Sequence, residues 1–314
     1  MNKFAALVAL LLSVALSSCG PETAHNLPSA KSVQKAPDAT NALQSTAAPT
    51  EQRPTSAKSF RTFASLAPSN TELIYSLNAQ DHLVAVCNQC DYPTAAKNKQ
   101  HIGNFVSVDP EKLVQIHPDG IFLVKEQEGI ANTVRKQNIE TVMLPNSSVE
   151  DVANNVRTIG RSTNKQALAE QLASNFEKSV AAIAKSASSA ATHPKVFFCV
   201  WPEPLITVGR DSYLNDAVTI CGGNNLSANI PGAYPKFSTE KLLMEQPDLI
   251  ILPDEAHNQT FLNRAPWTSL KAVKDGQVFY LPPRDSDRLS RPTLRLVDGL
   301  HWLSKKLHPE LHPH

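Results

Sequence analysis

Residues 87–90 read Cys-Asn-Gln-Cys, a spacing that can exchange electrons, close into a disulfide or hold a metal. Dithiol catalysis needs the first cysteine at a helix N-terminus, where its pKa falls. Here Cys87 follows the strand-like Leu83-Val84-Ala85-Val86, and any helix starts only after Pro93. A structural zinc site needs a second pair of ligands at matching spacing, and the chain offers none. The reading that remains is a loop at the carboxyl end of a strand, where open α/β sheets bind ligands. The other groups with chemical reach are scattered. Glu111 and Glu240 open two similar helical segments, and His308, His312 and His314 crowd the C-terminus. Histidines close to a chain end are usually solvated, so no metal is expected there. No Gly-x-Ser-x-Gly elbow, His-Glu-x-x-His pair or phosphate-cradling glycine loop occurs. The chain is therefore expected to bind, without turnover and without a resident cofactor.

The compartment decides how cysteines are read. The chain opens with Lys3, the apolar run Phe4 to Leu16, and then Leu-Ser-Ser-Cys19. This reads as a signal peptide over residues 1–18, too short to span a bilayer. The small residues before Cys19 resemble a bacterial lipobox, which implies cleavage and a lipid on the Cys19 sulfur. Gly20 is not the Asp expected for inner-membrane retention in a Gram-negative envelope. Residues 19–59 are rich in Ala, Ser, Thr, Pro and Gln and show no apolar period. Such a segment buries too little to repay its ordering entropy and reads as a flexible tether. The formal net charge of +1 and a 41% hydrophobic fraction argue for an ordinary globular body and against nucleic acid as partner.

The body must position these groups. Phe63 to Ala67 reads as an apolar run, with a helix capped by Asn70 and carrying Glu72 in its first turn. Strands at 83–86, 121–124 and 141–144 alternate with helices at 110 onward and 130–137, which predicts a parallel α/β sheet. From Asn164 to about Ser189 no Gly or Pro interrupts the chain, and Leu168, Leu172, Phe176, Val180 and Ile183 mark one helical face. Alternation then resumes at the strand Val196 to Val200.

An internal repeat orders the whole. DPEKLVQIHPDGI at 109–121 matches STEKLLMEQPDLI at 238–250 with a constant offset of 129, pairing Glu111 with Glu240 and Asp119 with Asp248. Each copy reads as cap, two helical turns, Pro-Asp, strand. We read two Rossmann-like lobes with parallel sheets, residues 60–162 and 191–314, joined by one long helix over 163–190. Cys199 and Cys221 both fall in the second lobe and are the preferred disulfide among the three pairings of the four cysteines that follow the tether. Buried free thiols are the alternative.

The segments SLAPSNTELIYSL (65–77), CDYP (90–93), GNFVSVDPEKLVQIHPDGI (103–121), VWPEPLITVGRDSYLNDAVTICGG (200–223), YPKFSTEKLLMEQPDLIILP (234–253) and RLSRP (288–292) carry a resemblance. In order and spacing the chain resembles the periplasmic substrate-binding proteins of cobalamin and ferric-siderophore ABC importers, most closely the cobalamin receptors. The resemblance implies a class III periplasmic binding protein. It would be an exported, lipid-anchored monomer that captures a corrinoid between its lobes and passes it to a permease dimer with its ATPase subunits. The membrane would be touched through the lipid anchor only. It implies a ligand cleft lined or flanked by Gln89, Tyr92, Phe105, Trp201, Tyr234 and Arg288. It also makes Glu111 and Glu240 the residues that meet permease arginines, beside their capping role. Gln89, Val124 and Ile206 stand where some cobalamin receptors carry aromatics, so the same receptor for a ferric siderophore or haem is the nearest alternative. A surface interaction lipoprotein without a small ligand is the alternative of another class.

Overall fold

The structure, a computed structural model, describes residues 59–257, 260–281 and 286–312. The signal peptide, Cys19, nearly all of the tether and His314 lie outside the described residues. No described helix is long and apolar enough to cross a membrane.

The first half builds strands β1 (Phe63–Ser65), β2 (Leu83–Val86), β3 (Gln100–His101), β4 (Gly103–Asn104), β5 (Ser107–Val108), β6 (Gly120–Val124) and β7 (Glu140–Leu144). Five of them form a sheet in the order β3-β2-β1-β6-β7, parallel throughout, while β4 and β5 make a small hairpin. Helices α1 (Pro68–Ser76), α2 (Pro110–Ile116), α3 (Glu128–Arg135) and α4 (Glu150–Ser162) connect or flank them. Then α5 (Gln166–Ala187) runs for 22 residues, about 33 Å. The second half holds β8 (Lys195–Pro202), β9 (Leu205–Thr207), β10 (Asn224–Asn225), β11 (Leu249–Leu252) and β12 (Val278–Tyr280). Its sheet order is β10-β8-β11-β12, parallel, with β9 antiparallel on β8. Helices α6 (Tyr213–Ile220), α7 (Thr239–Glu245), α8 (Lys271–Lys274), α9 (Ser286–Ser290) and α10 (Leu296–Leu307) complete it. This is an α/β architecture of two parallel-sheet lobes joined by one long helix, as the resemblance implies.

The repeat becomes physical here. Asp109 caps α2 by accepting from the Glu111 and Lys112 amides, and Ser238 caps α7 by accepting from the Lys241 amide. Both helices end on a left-handed residue, His117 and Gln246, again 129 apart. The Pro-Asp that follows has a purpose in each copy. Asp119 accepts from the amides of Arg61 and Thr62, ahead of β1. Asp248 accepts from the amide of Lys195, the first residue of β8. Each aspartate thus ties the start of its lobe's central strand to its neighbour.

Burial of α5 explains its phase. Ala169, Ala173, Phe176, Ile183 and Ala187 are its buried residues, and Leu168, Leu172 and Val180 pack against the core from its flanks. One apolar cluster runs from Phe63 and Phe122 in the first sheet, through Phe176 and Ile183, to Phe198 and Leu300 in the second half. The two sheets therefore share one core on their inner faces, while each keeps a cluster of its own on the other face.

Several expectations are corrected. The first helix starts at Pro68 behind Ala67, with no side-chain cap, so Asn70 is inside it and not its N-cap. Proline suits that first position because its missing amide proton has no helical acceptor. The long helix begins at Gln166, after a left-handed Asn164, and α4 is a separate helix that the apolar periodicity did not single out. Cys199 and Cys221 are not joined. Cys199 faces the cluster of Phe197, Phe237 and Trp267, whereas Cys221 faces the shared core and its thiol contacts the Leu300 carbonyl. They belong to different cores, so no side-chain rotation pairs them. Burial pushes the Cys221 thiol up to about 12 and Cys199 higher still. His308 is also not solvated. It is fully buried, its Nδ1 3.3 Å from Glu310, which anchors the C-terminal segment.

Arg157 fastens α4 to α5. Its guanidinium holds Glu170 through two bonds of 2.9 Å and also binds Glu177. These bonds hold the Glu170 carboxyl down to about 2, from an ordinary 4.5. A depressed carboxylate stabilises the fold above its unfolded pKa, and that contribution is lost as pH falls through the folded one. Arg157→Ala should therefore lower stability at neutral pH and flatten the acid limb between about pH 5 and 2. Urea titrations at stepped pH check this; an unchanged acid limb would remove the network from the account.

Candidate ligand-binding cleft

Both sheets aim their carboxyl ends at one cavity of about 370 Å³ between the halves. From the first half come the start of α1, Gln89 after β2, Phe105 in the β4–β5 turn, Val124 to Glu126 after β6, and Asn146 and Ser147 after β7. From the second come Asp211 to Tyr213 at the start of α6, Gly232 to Tyr234, and Asp287, Ser290 and Arg291 around α9. Parallel strands leave their loops at this end, so ligand groups from distant sequence positions converge here.

Phe105 is placed by local chemistry. Gly103 adopts φ +131, and a Cβ there would lie 2.3 Å from the Ser107 carbonyl, so only glycine closes the hairpin. The Asn104 side chain accepts from the amides of Val106 and Ser107 at 3.0 and 2.9 Å and shapes the turn. Gln89 accepts from the Phe105 amide at 3.1 Å, and the buried Gln127 donates to the carbonyls of Phe105 and Leu66 at 2.7 and 2.8 Å. Gln127 also accepts from the Val124 amide, so one amide side chain stitches the apolar wall, where Phe105 packs with Ala67 and Val124. The opposite wall rests on a close approach of two chain segments. A Cβ on Gly209 would sit 2.2 Å from the Gly232 carbonyl, and the Gly232 amide donates to Asp211 at 2.8 Å. That amide, together with Arg210 and with Lys125 from the facing wall, holds the Asp211 carboxyl low. Burial pushes the Tyr234 phenol up to about 12 and Tyr213 well above its ordinary value.

Of the six residues expected at the ligand, Gln89, Phe105 and Tyr234 line the cavity. The other three do not. Tyr92 lies 44% exposed under the Arg295 guanidinium, 3.8 Å from its ring centre. Trp201 turns its indole to the β8–β9 hairpin and donates to the Glu203 carbonyl at 2.8 Å. Arg288 faces α10 and pairs with Asp298 at 3.5 Å. On α9 the cavity face falls at Asp287 and Ser290, with Arg291 just beyond, and position 288 points the other way. Glu111 and Glu240 are exposed in the first turns of α2 and α7, away from the cavity; the Ser238 hydroxyl lowers the pKa of Glu240.

Sequence reasoning missed the group that closes the cleft floor. Glu72, 3% exposed on α1, receives Arg291 at 2.8 Å and Arg295 through bonds of 2.8 and 2.9 Å. Arg291 also binds Asp91 at 2.9 Å and Asp287 at 3.3 Å. Two arginines of one half thus clasp carboxylates of the other. The signal was present, since Arg291 lies inside RLSRP and Glu72 inside SLAPSNTELIYSL, but Glu72 read as a helix-dipole residue.

A cleft between two parallel-sheet lobes joined by a long helix is the architecture of a solute-binding protein. The chain belongs to the periplasmic binding protein family, whose model matches residues 63–284. It is thus an exported solute-binding protein of the ABC importer type. It is 25% identical over 243 residues to the vitamin B12-binding protein of Vibrio parahaemolyticus, covering 75% of this chain and 85% of that one. It is 26% identical over 254 residues to the ABC transporter substrate-binding lipoprotein YvrC of Bacillus subtilis, covering 78% and 79%. Among solved structures, the vitamin B12 binding protein BtuF of Vibrio cholerae superposes with a TM-score of 0.73 at 24% identity, covering 81% of this chain and 99% of that one. The haem-binding protein BhuT, in complex with two haems, superposes at 0.71 with 19% identity over 81% and 99%. These superpositions establish the fold.

Removing one partner of a buried ion pair leaves the other charge uncompensated and costs about 3–5 kcal/mol. Glu72→Gln should therefore destabilise the protein by about that amount. Denaturant unfolding measures it, and a loss below about 1 kcal/mol, the value of an exposed pair, would mean the clasp is dispensable.

Proposed function

We propose that this protein is the corrinoid receptor of an ABC importer, holding cobalamin between its lobes and handing it to the membrane permease. The observation that carries the reading is the chemistry of the cleft. Phe105 and Val124 on one wall and Tyr213 and Tyr234 on the other offer apolar and aromatic surface, beside the charged Lys125, Glu126, Asp211, Asp287 and Arg291. A large macrocycle gains most of its binding energy from such contact. An anionic siderophore would instead need cationic side chains at its disposal. Arg291 is already engaged by Glu72, Asp91 and Asp287, and Lys125 helps to hold Asp211 low. The relatives named for vitamin B12 point the same way. The second reading is haem, because Tyr234 brings a phenol into the cleft.

In this reading the receptor carries no resident cofactor, and the corrinoid is cargo. It works as a monomer, with Cys19 as its lipid anchor. Glu111 and Glu240 form a two-point dock for permease arginines, one on each lobe, which sets orientation more than affinity.

Calorimetric titration with cyanocobalamin and with haemin tests the ligand. Cobalamin should bind one to one at micromolar concentration or tighter. Phe105→Ala and Tyr234→Ala should each weaken it about tenfold or more, about 1.4 kcal/mol, while Trp201→Ala leaves it within about twofold. Tight haemin binding without cobalamin binding would replace the corrinoid by haem. For the dock, Glu111→Ala with Glu240→Ala should abolish corrinoid uptake in cells while leaving cobalamin affinity intact. Undiminished uptake would return both glutamates to helix capping alone.

A further inference from the structure

Cys87 and Cys90 form a pair of reactive groups that neither the cleft chemistry nor the dock uses. Both are fully buried, their sulfurs are 2.9 Å apart, and the Cys90 amide donates to the Cys87 carbonyl at 3.0 Å, closing a turn. The turn sits between two functional contacts. Gln89, inside it, accepts from the Phe105 amide and lines the cavity. Asp91, next after it, receives Arg291 from the other half. Thr71 of α1 reaches the Cys90 sulfur at 3.1 Å. Cys199 and Cys221, by contrast, lie in separate cores far from any partner thiol.

We propose that Cys87 and Cys90 close into a disulfide in the exported protein, and that this staple holds Gln89 and Asp91 in the positions that shape the cleft. The inference rests on export for its oxidant only. That oxidant is a disulfide, either of an exported thiol-oxidising protein or of oxidised glutathione. The Cys90 thiolate attacks one sulfur of it, forming a mixed disulfide and releasing one thiol. The Cys87 thiol then loses its proton and attacks the Cys90 sulfur, releasing the second thiol. Two electrons and two protons pass to the oxidant, and one S–S bond forms in the chain. Burial places this step during folding, before the turn is covered. As the turn closes, burial pushes the Cys87 thiol up, whereas at Cys90 burial is outweighed by the contacts of Cys87 and Thr71 with its sulfur, which hold that thiol low and make Cys90 the attacking group.

Thiol mapping of the full-length chain, recovered from the envelope and denatured in acid, tests the bond. Without reductant, maleimide should label Cys199 and Cys221 and spare Cys87 and Cys90; after reduction all four should label. Labelling of Cys87 and Cys90 without reductant would overturn the proposal for the cell. Refolding the purified chain in a glutathione redox buffer separates this from a failure of export. There the pair should oxidise wherever the protein resides, and free thiols would overturn the proposal outright. The coupling is read by hydrogen exchange. The Phe105 amide should exchange at least tenfold faster in protein refolded under reductant, with β6 amides unchanged. Equal Phe105 exchange in the two forms would show that the bond does not shape the cleft. None of these readouts depends on which ligand the cleft takes.

Discussion

The structure depends on one buried carboxylate. Glu72 sits at the base of the cleft, 219 and 223 residues from the arginines that clasp it. A lone carboxylate there would be severely destabilising, and two guanidiniums with short, multiple bonds make its burial tolerable. The consequences spread outward. Arg291 is drawn to the cleft floor and also takes Asp91, which fixes the loop after β2. Arg295 lies over the Tyr92 ring, which explains why that tyrosine is occupied outside the cavity. The relative position of the halves is thus set by ionic geometry at the same place where the ligand would lie.

Apolar packing reinforces the clasp. The core of the first sheet continues through α4, α5 and α10 into that of the second, without a polar break. Burial of a single large side chain such as Phe176 contributes about 1.5–3 kcal/mol, so sliding the halves apart would expose many times that. The Arg157 bonds to Glu170 and Glu177 keep α4 and α5 together on their outer face. A large hinge closure would have to disrupt all three features. Together they hold the two halves in a fixed relation around the cleft.

Placement divides the surface by task. Carboxyl ends of strands converge on the cavity, while the short capped helices α2 and α7 carry their glutamates elsewhere on the surface. Each such helix is tied by its following aspartate to the central strand of its own sheet. The orientation of the two glutamates is therefore coupled to the orientation of the two sheets.

Local patterns made the fold legible in the sequence. Caps, the Pro-Asp steps, the apolar strands and the uninterrupted stretch after Asn164 each report on a few neighbouring residues, and the 129-residue repeat disclosed that the pattern occurs twice. Phe105, Gln89 and Tyr234, expected at the ligand from the family resemblance, do line the cavity. Helical phase in α9 was not legible, because five residues hold too little periodicity to tell Arg288 from Arg291. The fates of Tyr92 and Trp201 depended on an arginine two hundred residues away and on the path of a hairpin. The separation of Cys199 from Cys221 depended on which face of a sheet each one meets. Short-range spacing determines which elements form and in what order. Only the tertiary structure decides which side chains face one another across the cleft, because burial and charge pairing act between groups that the chain keeps far apart.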